Sequence, residues 1–146
     1  MYAPDQQRAA DELLRVCRPG GRIGLVSWCP RGMMEDLQQA TARFRPPPPP
    51  HLWGTEDYYK TLFGDRISVM TSAVLTQDGF AASSQAQAAM LLTHLPPWRT
   101  LHGGLDSESQ TALAAAIEAA YERSNQATDG TLHVGTQYLQ IVATVI

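Results

Sequence analysis

Leu13 to Trp28 reads LLRVCRPGGRIGLVSW. Leu13, Leu14 and Cys17 continue an apolar face begun at Ala10 with helical spacing, and Pro19-Gly20-Gly21 stops it. Ile23, Gly24, Leu25 and Val26 then run apolar without alternation, as a strand covered on both faces does. Helix, glycine turn and apolar strand together make the helix-to-strand joint of an α/β sheet. Gly24 inside the strand predicts a close backbone approach at that point. An open α/β domain that binds a nucleotide-like cofactor keeps its Gly-rich loop after its first strand. That loop is expected upstream of Met1, so the chain reads as a back half.

Residues from about Pro4 to Val16 predict the helix that feeds this joint, with Asp5 at its positive end. Downstream, Met33, Met34, Leu37, Thr41 and Phe44 fall at helical spacing. Pro46 to Pro50 predict a stiff extended connector. Thr55 is expected to cap a short helix that ends at Phe63-Gly64. Ile67 to Thr76 predict a strand near a sheet edge. Ser83 or Ser84 caps a helix to about His94, broken by Pro96-Pro97. Ser107 and Gln110 suggest a capping box on the longest helix, which runs to about Gln126. Asp129-Gly130 turns the chain into a last strand from Tyr138 to Ile146.

Composition bounds the function. The chain has 146 residues, 44% hydrophobic and 17% charged, enough for one domain with a real core. A net charge of −3 with scattered basic residues argues against a nucleic-acid surface. No apolar run reaches the length of a membrane span, and no signal peptide is visible. Cys17 and Cys29 lack both a disulfide framework and paired metal spacing, so two reduced thiols in a cytoplasmic protein are expected. His51, His94, His102 and His133 show no metal-ligand spacing, and no metal is expected.

The residues of the joint, Leu14 to Ile23, resemble the helix, PGG turn and fifth strand of class I S-adenosylmethionine-dependent methyltransferases. The similar group is the one that includes the ubiquinone/menaquinone-biosynthesis type. Met1 to Gln6, Ser27 to Gly32, Pro46 to Pro50 with Leu52-Trp53-Gly54-Thr55, and Asp129 to Leu132 before Tyr138-Leu139 resemble further features of that group, in the same order. The resemblance covers essentially the whole chain. It implies an α/β fold, the C-terminal part of a Rossmann-like methyltransferase sheet. Arg22 to Ser27 would be strand five, Ile67 to Thr76 strand six, and Tyr138 to Ile146 strand seven, antiparallel and inserted between the other two. The chain is then one partial domain. Residues 1–45 hold a helix, strand five and the following helix; 46–64 are a proline-rich lid segment; 65–146 supply the C-terminal strands and helices.

The resemblance implies a small-molecule methyltransferase, with this chain supplying the substrate side of the site. The family's GxGxG loop and ribose-binding acidic residue have no counterpart here, so S-adenosylmethionine is not expected to bind this chain alone. Trp28 and Trp53 are the candidate substrate-binding residues, and His94, near Pro96-Pro97-Trp98, is the candidate general base. Met33-Met34 and Trp53 hint at an apolar or aromatic acceptor. The alternative is a truncated, non-catalytic module. Strand five would then lose a neighbour, and a homodimer through that exposed sheet edge would cover it.

Overall fold

The computed structural model describes residues 3–45 and 52–146, so the proline run Pro46–Pro50 and His51 lie outside the described residues. The fold is α/β. The helices are α1 (Gln6–Val16), α2 (Met33–Thr41), α3 (Glu56–Phe63), α4 (Ser84–His94), α5 (Pro96–Gly103) and α6 (Ser107–Arg123). The strands are β1 (Arg22–Trp28), β2 (Ile67–Ala81) and β3 (Leu132–Val145). They form one sheet in the order β1-β3-β2. β1 and β3 are antiparallel, with Arg22 opposite Thr144 and Trp28 opposite Tyr138.

The joint at Pro19-Gly20-Gly21 is built as its residues require. Gly20 has φ +74°, in the left-handed region. A Cβ on Gly21 would fall 2.5 Å from Cys17 Sγ and 2.7 Å from the Arg18 carbonyl. Gly20 N–H donates to the Val145 carbonyl at 2.8 Å, and Val145 N–H donates to that of Gly21 at 2.9 Å. The turn is thereby sewn to the end of β3. Gly24 carries no such crowding, because a Cβ there meets nothing within 4 Å. The close approach expected at Gly24 occurs instead at Gly54.

Several boundaries differ from expectation. Asp5 is the N-cap of α1, its side chain accepting from Arg8 N–H at 2.9 Å. Ser83 caps α4 by accepting from Ala86 N–H at 3.0 Å. Pro96-Pro97 does not merely break a helix but opens α5, since proline in a first turn forfeits no intrahelical bond. The cap of α6 is Asp106, which accepts from Ser109 N–H at 2.8 Å. Gln110 turns instead to the carbonyls of His102 and Leu105, both at 3.1 Å. β2 runs past Thr76 to Ala81, and β3 begins at Leu132 rather than Tyr138.

The chain divides into two compact units. The first comprises Met1–Pro30, Pro50–Thr76 and Gln137–Ile146. Its core gathers Ala10 of α1, Trp53, Tyr59, Leu62 and Phe63, and Leu139, Ile141 and Ala143 of β3. The second comprises Arg31–Pro49 and Gln77–Thr136. Its core gathers Met33 and Leu37 of α2, Leu91 and Leu92 of α4, Leu113, Ile117 and Tyr121 of α6, and Leu132 and Val134 of β3. Met33 is therefore core, 4% exposed, rather than a wall offered to an acceptor.

Candidate functional site

Ala9, Leu13 and Val16 recur on α1 at steps of four and three, so they share one face. In the first unit that face borders a cleft of about 420 Å³ whose other wall is Leu25, Val26 and Ser27 of β1. Trp53 completes the lining. Among the described residues β3 is the one strand that pairs with β1, so β1 stands at an end of the sheet. Val16 is 68% exposed and Val26 63%, an unusual exposure for aliphatic side chains beside a sheet edge.

One glycine sets this corner. A Cβ on Gly54 would sit 2.1 Å from the Trp28 carbonyl oxygen and 2.8 Å from Cys29 Cα. Only glycine lets the short turn Leu52–Gly54 lie against the end of β1. Trp53 enters the core there, 3% exposed, and its indole N–H donates to Gln6 Oε1 at 2.9 Å. Tyr58 O–H donates to the same oxygen at 2.6 Å. Tyr58, Tyr59 and Phe63 meet the Trp53 ring edge-on, with centroids 5.6–6.3 Å away.

Behind the cleft Ser27, Cys29 and Tyr59 are all buried. Burial pushes the Tyr59 phenol above its ordinary value, the nearby Ser27 hydroxyl offsetting part of the shift. The Tyr59 hydroxyl has no hydrogen-bond partner of good geometry among the described residues. Glu12, also on the rim, is held below the ordinary carboxylate value by its hydrogen bond to Arg15, 2.8–2.9 Å away. An apolar cleft whose carboxylate is already ion-paired is suited to covering apolar surface rather than to moving protons.

The sequence-nominated residues separate. Trp28 and Trp53 share one corner of the first unit, where the Gly54 turn rests on the Trp28 carbonyl. The Trp28 ring packs edge-on against its cross-strand partner Tyr138 at 6.3 Å and 87°. Trp53 lines the cleft. His94 belongs to the second unit, exposed in the last turn of α4, where a cation suits the helix dipole. No group of three or more His, Cys, Asp or Glu side chains suited to a metal ion occurs among the described residues.

The second unit holds a pair that the sequence did not disclose. His133 Nε2 lies 2.9 Å from Asp78 Oδ1, and the Phe80 ring stacks on the imidazole at 4.6 Å and 14°. A separation of 55 residues leaves no local pattern to read. The same unit carries a polar cleft of about 410 Å³ among α4, α5 and α6, bordered by Gln85, His102, Gln110 and Glu118.

No protein-family profile matches the chain. An uncharacterized protein of Mycobacterium tuberculosis (strain ATCC 25618 / H37Rv) is 45% identical over 78 residues, which are 50% of this chain and 28% of that protein. A second uncharacterized protein of the same strain is 40% identical over 94 residues, 60% of this chain and 34% of that protein. Mycobacterium bovis has counterparts of both with the same identities and coverage. The matched segments thus span only about a third of these curated relatives. No helix among the described residues is long and apolar enough to cross a membrane.

Proposed function

We propose that this chain is the C-terminal portion of an S-adenosylmethionine-dependent methyltransferase acting on a small molecule. The observation that carries the reading is the strand order β1-β3-β2, with β1 and β3 antiparallel. It is the order in which the resembled family sets strands five, seven and six. The place of β1 at the end of the described sheet supports it further, since strand five of that family has a second strand neighbour. The length of the mycobacterial relatives, about three times their matched segments, agrees with more sequence belonging to the same domain.

The residues of this chain do not fit the cofactor. Gly20-Gly21 follows a helix and leads into a strand, and Gly103-Gly104 joins α5 to α6. Neither pair stands after a strand and before a helix, the placement that lets backbone N–H groups and a helix N-terminus hold a nucleotide-like ligand. The proposal therefore assigns cofactor binding to sequence outside these 146 residues, and to this chain the substrate side with Trp28 and Trp53. A cytoplasmic location accords with free thiols at Cys17 and Cys29. The other reading, a non-catalytic module, is favoured by one feature: an exposed apolar cleft beside β1, which has no second strand partner among the described residues, invites a protein partner.

The DNA upstream of Met1 separates the two. In-frame translation is expected to give a strand, a GxGxG loop, a helix and then an acidic residue at the end of the next strand. A stop codon closely preceding Met1 in frame, with no other gene supplying such a segment, would count against the enzyme and for the module.

A further inference from the structure

The polar cleft of the second unit runs along one face of α6. Gln110, Thr111, Ala114, Ala115 and Glu118 border it and recur at helical steps of three and four. The polar groups on this face have only acceptors left to offer. Both amide hydrogens of Gln110 are taken, by the carbonyls of His102 and Leu105 at 3.1 Å each, which leaves its side-chain oxygen. The Thr111 hydroxyl donates to the Ser107 carbonyl at 3.0 Å, which leaves its lone pairs. Glu118 is half-buried, and among the described residues no ion pair or hydrogen bond holds its carboxylate. Thr111 and Glu118 stand about 10.5 Å apart along the helix axis. The lining between them is Ala114 and Ala115, whose methyl groups are small enough to leave the hollow of about 410 Å³ open.

We infer that this cleft binds a small extended alkylamine. Its ammonium group lies against Glu118, its alkyl chain over Ala114 and Ala115, and a hydroxyl or amine donor at its far end meets Gln110 and Thr111. Three features select that chemistry. The volume is that of a small-molecule site rather than of a groove for a folded partner. A wall made only of acceptors gives a carboxylate or phosphate nothing to bind on α6, and Glu118 repels it. A neutral diol would satisfy the acceptors but leave the carboxylate unpaired, whereas an ammonium forms the stronger, charge-assisted bond. Gln85 of α4 and the His102 ring of α5, on the other walls, can turn to accept or donate. The inference does not rest on the methyltransferase reading.

Titration of the isotope-labelled chain with aminohexanol, ammonium at one end and hydroxyl at the other, tests it by amide chemical shifts. The expected result is saturable shifts of the Gln110–Glu118 amides, with an affinity about tenfold above that for hexanediol, which lacks the charge. Hexylamine, which lacks the far hydroxyl, is expected to bind more weakly than aminohexanol. Glu118→Gln keeps the size and removes the charge, and is expected to bring aminohexanol down to the affinity of hexanediol. Ala115→Leu, at an exposed position, fills the hollow and is expected to abolish the shifts with all three compounds. It decides the matter if the first variant fails to fold. α6 amides that do not shift at millimolar aminohexanol overturn the inference. So does hexanediol binding as tightly as aminohexanol, a preference for the amine that survives Glu118→Gln, or binding that survives Ala115→Leu.

Discussion

Phe63→Ala is expected to lower the unfolding free energy by about 4 kcal/mol. Phe63 is 0% exposed at the end of α3. Its ring lies nearly parallel to that of Tyr59, 10° apart with centroids at 6.3 Å, and meets Trp53 edge-on at 83°. Truncation removes the apolar area and leaves a cavity between rigid rings that cannot collapse into it. Phe63→Leu retains most of the volume, so its cost is expected to stay below about 1.5 kcal/mol. Urea unfolding followed by tryptophan fluorescence reads both, because Trp53 reports on this cluster. A loss under about 1 kcal/mol for the alanine variant would mean that the aromatic cluster is not the core of this unit.

Gly54→Ala is expected to cost about 3 kcal/mol for a single added methyl group. The atom it strikes is a backbone carbonyl of β1, 2.1 Å from the new Cβ, with Cys29 Cα at 2.8 Å. Backbone cannot swing aside as the tip of a side chain does, so the turn Leu52–Gly54 must lift away from β1. Trp53 would lift with it and loosen its bond to Gln6, which a red-shifted emission would report. Gly103→Ala supplies the contrast. A Cβ there meets nothing within 4 Å, and the position closes a helix, so alanine is expected to be neutral or to stabilise by up to about 1 kcal/mol. Equal effects at the two glycines would contradict the close approach at Gly54.

The joint that decides the fold was legible because its signals are local. A PGG turn between an amphipathic helix and an apolar run has few other solutions, and the observed α1, turn and β1 follow it closely. The far ends of β2 and β3 were not legible. Asp78-Gly79 has the composition of a turn, yet both residues lie inside β2, where a Cβ on Gly79 would meet Val134 of β3 in ordinary contact at 3.6 Å. Pairing across the sheet outweighs the local preference, and a single sequence does not display that pairing. The same limit applied to the site. Trp53 was nominated as a substrate contact in the lid segment, but it is 3% exposed in the core of the first unit, and its indole N–H is met by Gln6, 47 residues away. His94 stood out by its neighbours in sequence, whereas the histidine that does face a carboxylate is His133, 55 residues from Asp78. Gly24 was chosen for lying inside a strand, and Gly54, which does carry the close approach, lies in a segment whose contact with β1 has no sequence signature.

On the proposed function, this chain is part of a cofactor-dependent methyltransferase and does not itself hold the cofactor. Calorimetric titration with S-adenosylmethionine tests it in two parallel arms, one with the 146-residue chain and one with the full-length Mycobacterium tuberculosis relative that is 45% identical over its matched segment. The expected result is micromolar binding by the full-length relative and no heat of binding with the chain alone. A relative that binds no S-adenosylmethionine, or a chain that binds it unaided, would contradict the account.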